Sequence, residues 1–130
     1  MISFQINSGE DKYAVEAAVT LCGSDICVAI CGGTHGHIGA SAISLPRPSL
    51  KDRSKSSSST SVFCVPGHKE DELARKTAEL ITNTFSVVSC VTVGLHVDNA
   101  SEKEIRTLVS NFETIVTAIV SRIKDISGKM

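Results

Sequence analysis

The C-terminal stretch of the chain carries the strongest constraint on the fold. Ile105, Leu108, Val109, Phe112, Ile115, Val116, Ile119 and Ile123 recur at i, i+3, i+4 and i+7 spacing, which gathers them into one stripe on a helix. Ser101 and Glu104 precede the stripe in the S-x-x-E spacing of a capping box, in which each side chain accepts the other residue's amide. Gly128 marks the expected end. A long helix with a single apolar stripe must lay that stripe on another surface, and the upstream sequence supplies one with a different period.

Residues 2–6 alternate apolar and polar. Residues 13–22 put Val15, Ala17, Val19 and Leu21 on one strand face, and 25–31, DICVAIC, are apolar on both faces. Gly23-Ser24 between them suits a type II′ turn, which predicts a hairpin. GGTHGH breaks the chain at 32–37, and 38–45 read as a fourth strand antiparallel to the third. Residues 46–60, PRPSLKDRSKSSSST, open on Pro-x-Pro and close on a Ser/Thr run without hydrophobic period. They read as a long loop, either disordered or functional. Residues 61–65 read as a short fifth strand. A helix is expected over 68–84, with Leu73, Thr77, Leu80, Ile81 and Thr84 at helical spacing and Glu70, Asp71 and Glu72 in its first turn. Residues 86–97 read as a further strand, with Val87, Val91, Val93, Leu95 and Val97 mostly on one face. The strand–helix–strand unit over 61–97 implies a right-handed crossover between parallel strands.

These elements predict an α+β two-layer sandwich over 1–130 as a single domain: a mixed, mostly antiparallel sheet of about six strands with both amphipathic helices on one face. The opposite face, with Cys90, Thr92, Gly94 and His96, suits cover by a second subunit, so a homodimer is expected.

Thirteen basic against fourteen acidic residues leave a net charge of −1. That excludes a nucleic-acid binder relying on bulk phosphate neutralisation and a polybasic membrane anchor. Aromatics are only 4% with no Trp, a poor basis for a base-stacking platform. No run approaches the ~18 apolar residues of a membrane span, and the N-terminus lacks a signal-peptide pattern. Five Cys without a CxxC pair lie in apolar, strand-like runs, where thiols read as small buried hydrophobes of a reduced, cytoplasmic protein.

Polar chemistry gathers at element ends. His35 and His37 flank Gly36 after the third strand, His68 starts the first helix, and His96 lies near the end of the last strand with Asp98 two residues on. Parallel strands bring their carboxyl ends to one edge, where ligands bind in open sheets with crossovers. His68 and His96 are therefore expected near one another, joined by His37 if the third strand runs the same way. Two readings stand for His37, His68 and His96, structural hydrogen bonding or ligand contact, whereas His35 reads as a solvated loop residue. His-x-His can hold zinc, but no HExxH, Cys pair or carboxylate doublet beyond Asp98 completes a catalytic site. Gly67-His68-Lys69 at a helix start offers amides to an anion, against the repulsion of Glu70, Asp71 and Glu72. Arg47 between Pro46 and Pro48 presents a guanidinium at low ordering cost. With Lys51, Arg53 and Lys55 it makes the loop either a charged linker or a flap over a phosphorylated ligand. No G-x-S-x-G, G-x-G-x-x-G or P-loop motif is present.

GGTHGHIGASAISLPRPSL at 32–50, TSVFCVPGHKEDELARKTAE at 60–79 and VGLHVDNASEKEI at 93–105 resemble the prenylated-flavin chaperone family, whose members include the small D-type subunit of gallate decarboxylase. The resemblance runs from about residue 25 to the C-terminus, and HIGA, PRPSL, PGHKEDELAR and HVD carry it most specifically. It implies a protein that binds prenylated FMN and assists its delivery to, or maturation for, a UbiD-type decarboxylase. It implies cofactor contacts from His37, Arg47, Pro48, Ser49, His68, Lys69, His96 and Asp98. The phosphate would fall to Arg47, Lys69 or the Ser-rich loop, which then reads as a lid, and the ring carbonyls and nitrogens to His37, His68 and His96. Two alternatives stand beside it. One is an enzyme, either oxidising the reduced cofactor or hydrolysing through a metal on the His cluster. The other is a flavin-independent interaction protein.

Overall fold

The structure, a computed structural model, describes residues 1–67 and 70–128. Chain order is β1 (Ile2–Ser8), a 3-10 turn (Asp11–Tyr13), β2 (Val15–Cys22), β3 (Asp25–Gly33), β4 (Ala40–Pro48), β5 (Ser56–Cys64), α1 (Asp71–Phe85), β6 (Ser89–His96) and α2 (Glu102–Gly128). The six strands form one mixed sheet in the order β1-β2-β3-β6-β4-β5. Among the described residues, only the β3–β6 pair is parallel. The expected α+β class is the one observed.

Local chemistry accounts for the elements. Cys22 pairs with Asp25 across the hairpin, and Gly23 takes φ +63, as the first position of a II′ turn requires. The capping box forms: the Ser101 amide donates to Glu104 Oε1 at 3.2 Å, and the Glu104 amide to Ser101 Oγ at 3.2 Å. Alternation on β2 buries Val15, Ala17, Val19 and Leu21, and the register aligns them with Ile30, Val28 and Ile26 of β3 and then with Val93 and Val91 of β6. This face receives both helices, α2 over β1 and β2 and α1 over β4, β5 and β6. Ile81, Ile115, Ile119 and Ile123 close the core between the layers, each fully buried side chain contributing about 2 kcal/mol.

Three expectations need correction. β6 inserts between β3 and β4, so these two run antiparallel without bonding to one another, and β5 and β6 run parallel with β4 between them. The loop expected at 46–60 is mostly ladder, since Pro46, Arg47 and Pro48 pair with Ser58, Ser57 and Ser56. β6 pairs with β4 only as far as Ser44, so beyond that point one side of β4 is an edge, where Pro costs no ladder bond. What remains of the loop, 49–55, is a tip held by its own bonds, with the Ser49 amide donating to the Lys55 carbonyl at 2.8 Å and the Ser54 hydroxyl to Asp52 Oδ1 at 2.6 Å. Finally, α1 turns Ala74, Thr77, Ala78, Ile81 and Thr82 inward and leaves Leu80 exposed, because the two alanines let its backbone lie close on the sheet.

The five cysteines also depart from expectation: none is fully buried. Register places Cys22, Cys27, Cys31 and Cys90 on the face away from the helices. Partial burial raises the Cys27 and Cys31 thiols, and Cys90 and Cys22 add to the effect at Cys27, which keeps both protonated and weakly nucleophilic.

Candidate functional site

β3 and β6 lie parallel with Gly33 opposite His96, so both strands deliver the chain to the same edge. The Thr34 amide donates to the His96 carbonyl at 2.7 Å and extends the contact by one residue. Residues 34–39 then fold back over the end of β6, and the Gly39 amide donates to the Val93 carbonyl at 2.9 Å. Glycine makes this approach possible. A Cβ at Gly94 would overlap the carbonyl of His37, and one at Gly33, which also sits at φ +92, would overlap the carbonyl of His96.

The fold-back stacks three imidazoles. The His35 and His96 rings lie 5.7 Å apart and nearly parallel, and His37 meets His96 edge-on at 6.0 Å. Asp98 spans the first pair, with Oδ1 2.9 Å from His96 Nε2 and Oδ2 3.2 Å from His35 Nε2. The bond with His96, helped by the charge of His35, holds the Asp98 carboxyl below its usual range. Glu70, buried at the start of α1, lies 3.2 Å from His37 Nε2 and accepts the Leu95 amide at 3.4 Å through the same oxygen, Oε1. A methyl at Gly39 would overlap this carboxylate.

Behind His96 and Glu70 a cleft of about 300 Å³ opens between the first turns of the two helices, walled by Leu73, Leu95, Val97, Ile105 and Leu108. On the other side a cleft of about 580 Å³ is lined by Glu10, Asp11, Glu16, Cys31, Gly33 and Gly36. Polar imidazole edges bordering an apolar hollow make a site for a flat ligand with mixed edges.

His37, His96 and Asp98 thus meet at one edge. Arg47, Pro48 and Ser49 do not join them. Ala40 of β4 pairs with Val93 at the imidazole end, and seven residues of extended strand put Arg47 about 23 Å further along. There Arg47 donates to Ser59 Oγ at 2.8 Å and to the Pro48 carbonyl at 3.1 Å. Ser49 Oγ accepts amides within the tip. His68 and Lys69 lie outside the described residues. Two participants were not foreseen. His35 is engaged rather than merely solvated, and its position two residues from His37 was the available signal. Glu70 looked like helix-end charge and proves to be the His37 partner. Among the described residues, no group of three or more His, Cys, Asp or Glu is arranged to hold a metal ion; Asp98 pairs with His35 and His96, and Glu70 with His37. No helix among those residues is long and apolar enough to cross a membrane.

Residues 9–124 match the family described as the prenylated flavin chaperone LpdD-like domain. No curated protein matches the chain. Among solved structures, the crystal structure of a novel chaperone complex for yeast 20S proteasome assembly contains a chain of similar fold. It aligns with TM-score 0.57 and 17% identity over 96% of this chain and 98% of its own.

Proposed function

Since the chain belongs to the prenylated flavin chaperone LpdD-like family, we propose that it binds prenylated FMN at the imidazole edge and assists its delivery to, or maturation for, a UbiD-type decarboxylase. The observation that carries the proposal is the convergence of His35, His37 and His96 beside an apolar cleft. The donor set fits the cofactor. Prenylated FMN supplies a phosphate, a ring edge of carbonyls and nitrogens, and an added apolar ring. His37 and His96 would hold the polar ring edge, with Asp98 and Glu70 orienting those imidazoles, and Leu73, Leu95 and Ile105 would receive the apolar part. His68 and Lys69 belong to the same proposal on the sequence resemblance. The chain acts as a carrier rather than a catalyst, working in the cytoplasm as a homodimer beside the decarboxylase's catalytic subunit.

Titration with prenylated FMN and with plain FMN tests this. Wild type is expected to prefer the prenylated form, because only that form fills the apolar cleft, and His96→Ala is expected to weaken binding at least about tenfold, the loss of one charged or well-placed hydrogen bond. Equal affinity for the two flavins, or equal affinity of wild type and His96→Ala, would remove the site. Anaerobic mixing with reduced cofactor separates carrier from enzyme: a carrier leaves the spectrum of the oxidised form unformed.

A further inference from the structure

We propose that the β4–β5 tip is a binding site for a phosphate group, held by Arg47, Arg53 and Lys55. The site is separate from the imidazole edge, about 23 Å away along β4, and stands whether or not the flavin proposal does.

The topology makes the tip a projection. β6 accompanies β4 only to Ser44, whereas β4 and β5 stay paired out to Pro48 and Ser56. From Leu45 and Ser59 onward the two strands form a ribbon that runs past β6. The turn that closes it is ordered by its own bonds. Besides the Ser49–Lys55 closure, the Lys55 amide donates to the Asp52 carbonyl at 3.0 Å, and the Lys51 and Asp52 amides donate to Ser49 Oγ at 3.3 and 3.4 Å. A ligand here meets a turn already shaped, which lowers the entropy cost of binding.

Positive charge collects at this turn without compensation. The tip carries Arg47, Lys51, Arg53 and Lys55 against one acid, Asp52. Asp52 accepts the amide and the hydroxyl of Ser54 through Oδ1, at 3.0 and 2.6 Å. Among the described residues no ion pair involves any of the four cations. Like charges gathered on one turn repel one another, and an anion between them offsets the repulsion.

A hollow of about 300 Å³ lies among these cations, lined by Arg47, Arg53, Lys55 and Ser56. Arg47 is positioned before any ligand arrives. Pro46 and Pro48 restrict the backbone on either side of it. Its guanidinium donates through Nε to Ser59 Oγ at 2.8 Å and through Nη1 to the Pro48 carbonyl at 3.1 Å. Nη2 makes no hydrogen bond among the described residues. Phosphate suits this arrangement better than a carboxylate does. It carries about two charges and spreads its oxygens around a tetrahedron, so cations from three positions each find an acceptor. A carboxylate offers two oxygens in one plane. Ser56 adds a hydroxyl donor at the rim of the same hollow.

NMR titration of the full-length chain with inorganic phosphate, at an ionic strength held constant with chloride, tests the site without any flavin. Saturable shifts are expected at the amides of 49–57, with those of β6 and α2 unmoved. Arg53→Ala and Lys55→Ala are each expected to weaken binding at least about fivefold, the loss of one charge-assisted contact at a partly exposed site. Lys103→Ala, which removes a cation from α2, is expected to bind phosphate like wild type. Shifts that do not saturate, an equal response to chloride, or an equal loss in Lys103→Ala and Arg53→Ala would overturn the proposal. So would displacement of phosphate by a poly-glutamate peptide at equal concentration, which would make the tip a docking surface for acidic proteins. FMN and riboflavin separate the sources of the phosphate group. Competition by FMN alone means that the site accepts a phosphate carried by a small molecule, and competition by neither restricts it to the inorganic ion. Equal competition by riboflavin would move the contact to the ring and overturn the phosphate assignment. A saturable phosphate response in a chain that binds no prenylated FMN would defeat the flavin proposal and leave this site standing.

Discussion

His37 and Glu70 meet at 3.2 Å across the end of the sheet, and the same carboxylate oxygen of Glu70 takes the amide of Leu95. One acid at the first turn of α1 therefore fixes both an imidazole of the fold-back and the backbone of β6. Glu70→Ala is expected to destabilise the chain by about 1.5–3 kcal/mol, the range for a hydrogen bond to a charged group, and to release His37 from the cluster. Glu70→Gln keeps an oxygen for Leu95 and recovers part of that loss. Urea unfolding together with NMR shifts of the His37 ring checks both outcomes, and an unmoved His37 resonance in Glu70→Ala would contradict the positioning role.

Gly94 and Gly36 lie on either side of the same fold-back and predict opposite results. A methyl at Gly94 strikes the His37 carbonyl, so Gly94→Ala must push residues 34–39 off the strand, at a cost of about 1–3 kcal/mol. Among the described residues a methyl at Gly36 finds nothing nearer than Cys31 Sγ at 3.9 Å, so Gly36→Ala is expected within about 0.5 kcal/mol of wild type. Flavin binding should fall with the first substitution and persist with the second. Equal thermal midpoints for the two variants would mean that the loop does not rest on β6 as described.

Between α1 and the sheet lies a buried polar seam. Thr82 Oγ1 is 3.1 Å from the Ser44 carbonyl and 2.8 Å from Ser89 Oγ, which reaches the Ala78 carbonyl at 2.9 Å. All three side chains are fully enclosed. Thr82→Val keeps the shape, removes the hydroxyl and strands its neighbours, for an expected loss of about 1–3 kcal/mol. Thr84 bonds only to its own helix, at the Leu80 carbonyl, and is exposed, so Thr84→Val serves as a control expected near wild type. Denaturant midpoints of the two variants should differ by most of the predicted loss.

What could be read from sequence alone followed from whether one local signal decided the matter. The hairpin at Gly23, the capping box at Ser101 and the stripe from Leu108 to Ile123 are set by neighbours in sequence, and they form as expected. The Ser-rich segment carries no strand signal because Ser58, Ser57 and Ser56 have no hydrophobic period; their strand conformation comes from pairing with Pro46, Arg47 and Pro48, which no window on β5 contains. The site divides the same way. His37 and His96 could be brought together by strand direction, since chain ends of parallel strands share an edge. The separation of Arg47 from them follows from β4 continuing as ladder from Ala40 through Pro48 against Ser56–Cys64, a pairing that no window on β4 contains.

The bond network of Glu104 gives the chain a defined acid response. Lys12 Nζ lies 2.6 Å from Glu104 Oε2, Tyr13 donates its hydroxyl to the same oxygen at 3.1 Å, and the Ser101 amide donates to the other. The Lys12 bond first, then the Ser101 amide and the Tyr13 hydroxyl, lower the Glu104 carboxyl from its ordinary 4.5 to about 2. Lys12 is raised above its ordinary 10.5 by the same contact. For a carboxylate depressed on folding, the unfolded chain binds the proton more readily, so its stabilisation is complete above 4.5 and is lost as pH falls toward about 2. For a lysine raised on folding, stabilisation is complete below 10.5 and is lost as pH rises through the folded value. The pair therefore ties the 3-10 turn to α2 across the whole neutral range. Glu104→Gln is expected to lower the urea midpoint at neutral pH and to flatten its fall between 4.5 and about 2. A variant whose midpoint keeps the wild-type slope through that interval would show that another carboxylate carries the acid response.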